Sequence, residues 1–136
     1  MDLFIRQLVD AWNSHDFDQI TLLYDADYRG YDVALARPQQ GIADLHYTLA
    51  VYWQAFPDLH FTAEQFVFDG EQLALFWRAT GTHRGTFLHI PATGHTIEVH
   101  GAAHHRLRNR KIVQSLYVWD TAGLLRSLKL LPELST

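Results

Sequence analysis

The stretch Ile97–Asp120, IEVHGAAHHRLRNRKIVQSLYVWD, reads as two long strands joined by a turn at Arg108-Asn109-Arg110. Its side-chain alternation decides the fold class, because successive residues of a strand point to opposite faces. Ile97, Val99, Gly101, Ala103, His105 and Leu107 share one face, apolar except for His105. On the returning strand Ile112, Gln114, Leu116, Val118 and Asp120 share a face, and Val113, Ser115, Tyr117 and Trp119 share the other. A turn centred on Asn109-Arg110 pairs Leu107 with Ile112 and His105 with Gln114. The inner face is then expected to carry three polar groups, His105, Gln114 and Asp120. A carboxylate beside apolar surface has its charged form disfavoured and can exchange protons near neutral pH. Asp120 fits a second role equally, as the N-cap of a helix beginning at Thr121. His105 likewise fits a satisfied core histidine. Val113, Tyr117 and Trp119 form an outward set more apolar than a solvated face needs, which predicts a homodimer or higher homo-oligomer packed through the sheet.

Working back from this hairpin, residues 59–68 and 73–82 have a period of two and flank a turn at Asp69-Gly70. The segment 81–94 is an extended connection rich in glycine. Before Pro57 the period is helical. Phe4, Leu8 and Trp12 recur in residues 3–13, Asp16 followed by Gln19 opens a short helix, and Ile42, Leu45, Leu49, Trp53 and Phe56 form a third stripe. Pro57 ends that helix, since the residue before proline is pushed out of the α region. Tyr28–Val33 reads as a first strand, and 123–130 as a closing helix. Helices first and a meander second predict an α+β domain, with the helices packed on one face of a curved antiparallel sheet.

The whole chain, 1–136, is expected to be a single domain, and its 48% hydrophobic and 19% charged residues suit a globular core. A net charge of −4 argues against a nucleic-acid platform. Arg106, Arg108, Arg110 and Lys111 read as a solvated turn. The absence of cysteine excludes disulfides and thiol catalysis. No apolar run approaches a membrane span, and no signal-peptide core opens the chain, so a cytoplasmic location is expected. His100 and His104 lie roughly 13 Å apart along a strand. They cannot share an ion, and no metal site is expected.

Four further pieces occur in order: Ala55-Phe56-Pro57-Asp58-Leu59, Trp77-Arg78-Ala79-Thr80-Gly81-Thr82-His83-Arg84-Gly85, Ile90-Pro91-Ala92-Thr93-Gly94 and Trp119-Asp120-Thr121-Ala122-Gly123-Leu124-Leu125. With them the chain resembles the SnoaL-like polyketide cyclases over about residues 5–128. The resemblance implies a nuclear transport factor 2-like cone of helices on a curved sheet, enclosing a pocket. It implies an aspartate at Asp120 acting as general acid/base in an intramolecular aldol ring closure, an isomerase- or lyase-type reaction on a small-molecule substrate without metal or cofactor. A pocket histidine accompanies that aspartate in the family, and His105 is the match. Tyr31 stands where the family often has histidine, Gln114-Ser115-Leu116 where it has a Glu-His-Trp-like segment, and Phe76 where it has arginine. Expected substrate-binding residues are Tyr31, Trp53, Phe56, Trp77, His83 and Gln114; His83 fits a structural role as well. Two other functions suit the same residues: a polyketide hydroxylase, and a non-catalytic dimeric binding module.

Overall fold

A computed structural model describes residues 2–135. Its elements follow in the order α1 (Leu3–Ser14), α2 (Phe17–Thr21), β1 (Tyr24–Asp32), β2 (Gln39–Gln40), α3 (Gly41–Ala55), β3 (His60–Phe68), β4 (Gln72–Thr82), β5 (Thr96–Arg108), β6 (Lys111–Trp119) and α4 (Thr121–Ser127). Six strands form one sheet in the order β2-β1-β6-β5-β4-β3. The expected α+β architecture is present, with one difference in the sheet. The meander β3–β6 starts at the far edge and returns to β1 running in its direction, so the β1–β6 pairing is parallel. Among the described residues no helix is long and apolar enough to cross a membrane.

Local chemistry explains the helices. Asp2 caps α1 by accepting from the Phe4 amide at 2.8 Å, and the chain leaves the helix through His15 in the left-handed region. Phe4, Ile5, Leu8, Ala11 and Trp12 lie buried along one side of α1. Each large apolar side chain there contributes about 2 kcal/mol relative to exposure. The end of α3 is built by two backbone donors: the amides of Arg84 and Gly85 both reach the Ala55 carbonyl, at 2.9 and 3.1 Å. Gly85 permits this approach, since a Cβ there would stand 2.3 Å from the Gln54 carbonyl oxygen.

The long hairpin turns where expected. Asn109 and Arg110 both take positive φ, 53° and 64°, which suits a two-residue turn between twisted strands. Leu107 pairs with Ile112, also as expected. The next pair is Arg106 with Gln114, which leaves Val113 as an extra residue on β6. This bulge turns the rest of the strand over. His105 therefore pairs with Ser115 and not Gln114. Ser115, Tyr117 and Trp119 join the inner face, while Gln114, Leu116 and Val118 turn outward. The outer sheet face, on which the sequence reading placed Tyr117 and Trp119, thus presents Phe76, Leu116 and Val118 instead.

Asp120 follows the last inner residue and points away from it. Its side chain accepts from the Gly123 amide at 2.8 Å and lies 3.7 Å from the Arg126 guanidinium, as the N-cap of α4. Replacing Asp120 with Ala is expected to lower folding stability by about 1 kcal/mol, read as an earlier midpoint in urea denaturation.

Candidate functional site

Between α3 and the inner face of the sheet lies a largely apolar cavity. Helix α3 lines it with Thr48, Tyr52 and Trp53, and Phe56 follows at the helix C-cap; the sheet contributes Trp77, Val99, Tyr117 and Trp119. The helical stripe that packs α3 is thus also the cavity wall. Trp77 lies flat across β5. A Cβ on Gly101 would fall 2.2 Å from its ring, so only glycine leaves room for it. Phe61 meets the same indole at 5.2 Å and 79°, an edge-to-face contact.

One carboxylate stands in this aromatic setting. Asp32 ends β1 and is 5% exposed, because Tyr28, Gly30 and Asp32 alternate inward along the strand. Its Oδ1 accepts from the Ala34 amide at 2.9 Å and from the Trp119 indole at 3.0 Å. Its Oδ2 accepts from the Tyr52 hydroxyl at 2.5 Å. A carboxylate oxygen has two lone pairs. Oδ1 is therefore fully engaged, and Oδ2 keeps one lone pair. Burial, and then the Asp32 charge, push the Tyr52 phenol well above its ordinary range, so it stays protonated and donates.

A second polar group runs along the wall beside it. The Trp12 indole donates to the Tyr24 hydroxyl at 3.2 Å, and that hydroxyl lies 3.1 Å from the hydroxyl of Tyr117. Tyr24 and Tyr117 both line the cavity. Burial raises both phenols, so both remain neutral. Tyr28 donates to Gln39 at 3.0 Å, which fixes the Gln39 amide at the cavity edge. Behind Tyr117, His105 Nδ1 lies 2.6 Å from the Ser115 hydroxyl, with its ring 5.5 Å from that of Tyr117. Burial first, and nearby His104 second, lower the His105 pKa to about 3, which keeps the imidazole neutral.

The expected site residues separate into two groups. Trp53, Phe56 and Trp77 line the cavity. Asp120 and Gln114 face outward, Gln114 because of the bulge at Val113 and Asp120 because it caps α4. Tyr31 alternates out of β1 and is 45% exposed. His105 stands behind the wall, held by Ser115. His83 is fully buried and accepts at Nδ1 from the Thr93 amide at 3.2 Å, tying the two ends of the 83–94 connection together. Sequence reasoning missed Asp32, Tyr24, Gln39, Tyr52, Tyr117 and Trp119. Two signals pointed to some of them: the alternation from Tyr28 to Asp32, and a set containing Tyr117 and Trp119 too apolar to face water. Among the described residues no three His, Asp or Glu side chains gather as a metal set.

The family model for SnoaL-like polyketide cyclases matches residues 2–128. Among solved structures, the chain is similar to AclR of Streptomyces galilaeus, described as a candidate hydroxylase. The two share 26% identity and a TM-score of 0.84 over 97% of this chain and 86% of that one. It is similar to IdmH of Streptomyces antibioticus, described as a candidate polyketide cyclase, at 25% identity and TM-score 0.81 over 93% and 96%. A protein of Catenulispora acidiphila with a ketosteroid isomerase-like fold aligns over 100% and 99% at TM-score 0.82 and 15% identity, a likeness of fold. Among curated proteins none matches the sequence.

The buried histidine gives a testable pH dependence. His105 takes up a proton near 6.5 when unfolded and only near 3 when folded. Its contribution to stability is complete above 6.5 and is lost as pH falls towards 3. From this group alone, stability is expected to be about 2 kcal/mol lower at about pH 5 than at about pH 7. Urea titrations at both pH values should show that loss, and His105→Gln should shrink it.

Proposed function

The chain belongs to the SnoaL-like polyketide cyclase family, and from that premise we propose that it closes a ring on an oxygenated, polyketide-type small molecule by acid–base chemistry at Asp32. The observation that carries this reading is the placement of the carboxylate. Asp32 is the only acidic side chain lining the cavity among the described residues, and the aromatic side chains around it suit a flat apolar ligand.

The chemistry asks little of the protein. A carbon between two carbonyl groups is acidic, and the open lone pair of Asp32 Oδ2 accepts its proton. The resulting carbanion attacks a carbonyl carbon of the same molecule. A carbon–carbon bond forms, the carbonyl oxygen becomes an alkoxide, and the proton on Asp32 returns to it. Atoms and charge balance with no redox partner. Holding both reacting ends in one cavity is worth several kcal/mol. Tyr52 and Trp119 fix the carboxylate for the transfer.

The likeness to AclR favours hydroxylation as a second reading. The two reactions differ in mass: ring closure leaves the ligand's mass unchanged, whereas hydroxylation adds one oxygen.

Wild type, Asp32→Asn and Asp120→Asn incubated with a panel of anthraquinone-type methyl esters and followed by liquid chromatography with mass detection distinguish these readings. Wild type is expected to give a new peak of unchanged mass. Asp32→Asn is expected to form it about 10²- to 10⁴-fold more slowly, and Asp120→Asn at nearly the wild-type rate. The reverse pattern would return the acid–base role to Asp120.

A further inference from the structure

We propose that Tyr117 is the electrophilic half of the site, its hydroxyl donating a hydrogen bond to the oxygen on which negative charge develops in the ligand. This inference rests on the acid–base reading of Asp32 and adds to it a partner for the oxyanion.

Three observations support the assignment. The first is position. Asp32 and Tyr117 are register partners on the parallel strands β1 and β6, and both line the cavity. Neighbouring strands lie about 5 Å apart. A carbonyl oxygen and its α-carbon can therefore face Tyr117 and Asp32 together.

The second is proton count. Tyr24 and Tyr117 share one hydrogen bond and own two hydroxyl protons. One proton is left over. The Trp12 indole already donates to the Tyr24 oxygen, which polarises Tyr24 to donate onward to Tyr117. The leftover proton is then the one on Tyr117.

The third is support from behind. The His105 ring stands 5.5 Å from that of Tyr117 and nearly edge-on to it, and the Ser115 hydroxyl lies 2.6 Å from His105 Nδ1 and fixes that imidazole. The donor chain from Trp12 through Tyr24 ends on the Tyr117 oxygen and leaves its own O–H for the cavity. His105 is in this scheme a positioning residue, packing the Tyr117 ring in place.

The step is simple to balance. Asp32 takes the proton from carbon, the electron pair of that C–H bond moves onto the carbonyl oxygen, and Tyr117 donates a hydrogen bond there while keeping its proton. Because the donors are set before the ligand arrives, they need no reorganisation as charge develops.

The test uses the Asp32→Asn protein, whose neutral amide represents the carboxyl after it has taken the proton and does not repel an anion. Asp32→Asn and Asp32→Asn/Tyr117→Phe are titrated with 4-nitrophenolate, which carries an oxyanion, and with nitrobenzene, which carries none. Loss of Tyr117 is expected to weaken 4-nitrophenolate about 10- to 100-fold and leave nitrobenzene within about twofold. The nitrophenolate absorbance should also shift to shorter wavelength on binding to Asp32→Asn and not to the double variant. Equal loss of both probes, equal binding by both proteins, or no nitrophenolate binding by Asp32→Asn overturns the proposal. Turnover of Asp32→Asn is read separately, so an active Asp32→Asn would fail the acid–base reading and leave the tyrosine result intact.

Discussion

The site depends on one residue that β5 has no partner for. Val113 is inserted in β6 between the pairs Leu107–Ile112 and Arg106–Gln114. An unbulged strand would send Gln114, Leu116 and Val118 inward. The bulge instead brings in Ser115, Tyr117 and Trp119. Each then meets a partner that is already waiting: Ser115 meets His105, Tyr117 meets Tyr24, and Trp119 meets Asp32. Buried polar groups are costly unless paired. The register that satisfies all three pairs is therefore the one the sheet holds.

This explains what the sequence could and could not disclose. Helix α1, helix α3, the strand meander and the turn at Asn109-Arg110 follow from local periodicity and turn chemistry, and these were legible. The inner face of β6 was not, because alternation counts forward from the turn as though the ladder were unbroken. A slip of one residue exchanges the faces of everything beyond it. The contradiction was visible in the residues themselves, since Tyr117 and Trp119 are poor choices for a wet surface. Asp32 shares the alternation that buries Tyr28, but expecting Tyr31 in the pocket gave β1 the opposite inner face, and the parallel strand that completes the surroundings of Asp32 is distant in sequence. Asp120 illustrates the opposite case, where a polar residue before a helix satisfies backbone amides.

The segments that mark the resemblance serve the scaffold. Asp58, from the segment that ends α3, accepts from both the amide and the hydroxyl of Thr82, each at 2.7 Å. Arg84 and Gly85 close the end of α3, and His83 holds Thr93. These contacts join the helix to the sheet around the cavity. They build the pocket and supply Phe56, Trp77 and Trp119 to its wall, while Asp32, Tyr52 and Tyr117 come from outside those segments. A family likeness carried by such segments speaks first about shape, and fold alone does not fix a reaction.

If Asp32 is the acid–base group proposed above, its unequal oxygens bear on the handedness of the product. With Oδ1 filled by Ala34 and Trp119 and Oδ2 half filled by Tyr52, a single direction is left along which a proton can arrive or leave. A flat ligand has two faces, and only one can be turned towards that direction at a time. On the acid–base reading proposed for Asp32, the two hydrogens of a methylene on such a ligand would be chemically distinct to the protein, and one enantiomer of a newly formed centre would be favoured over its mirror image.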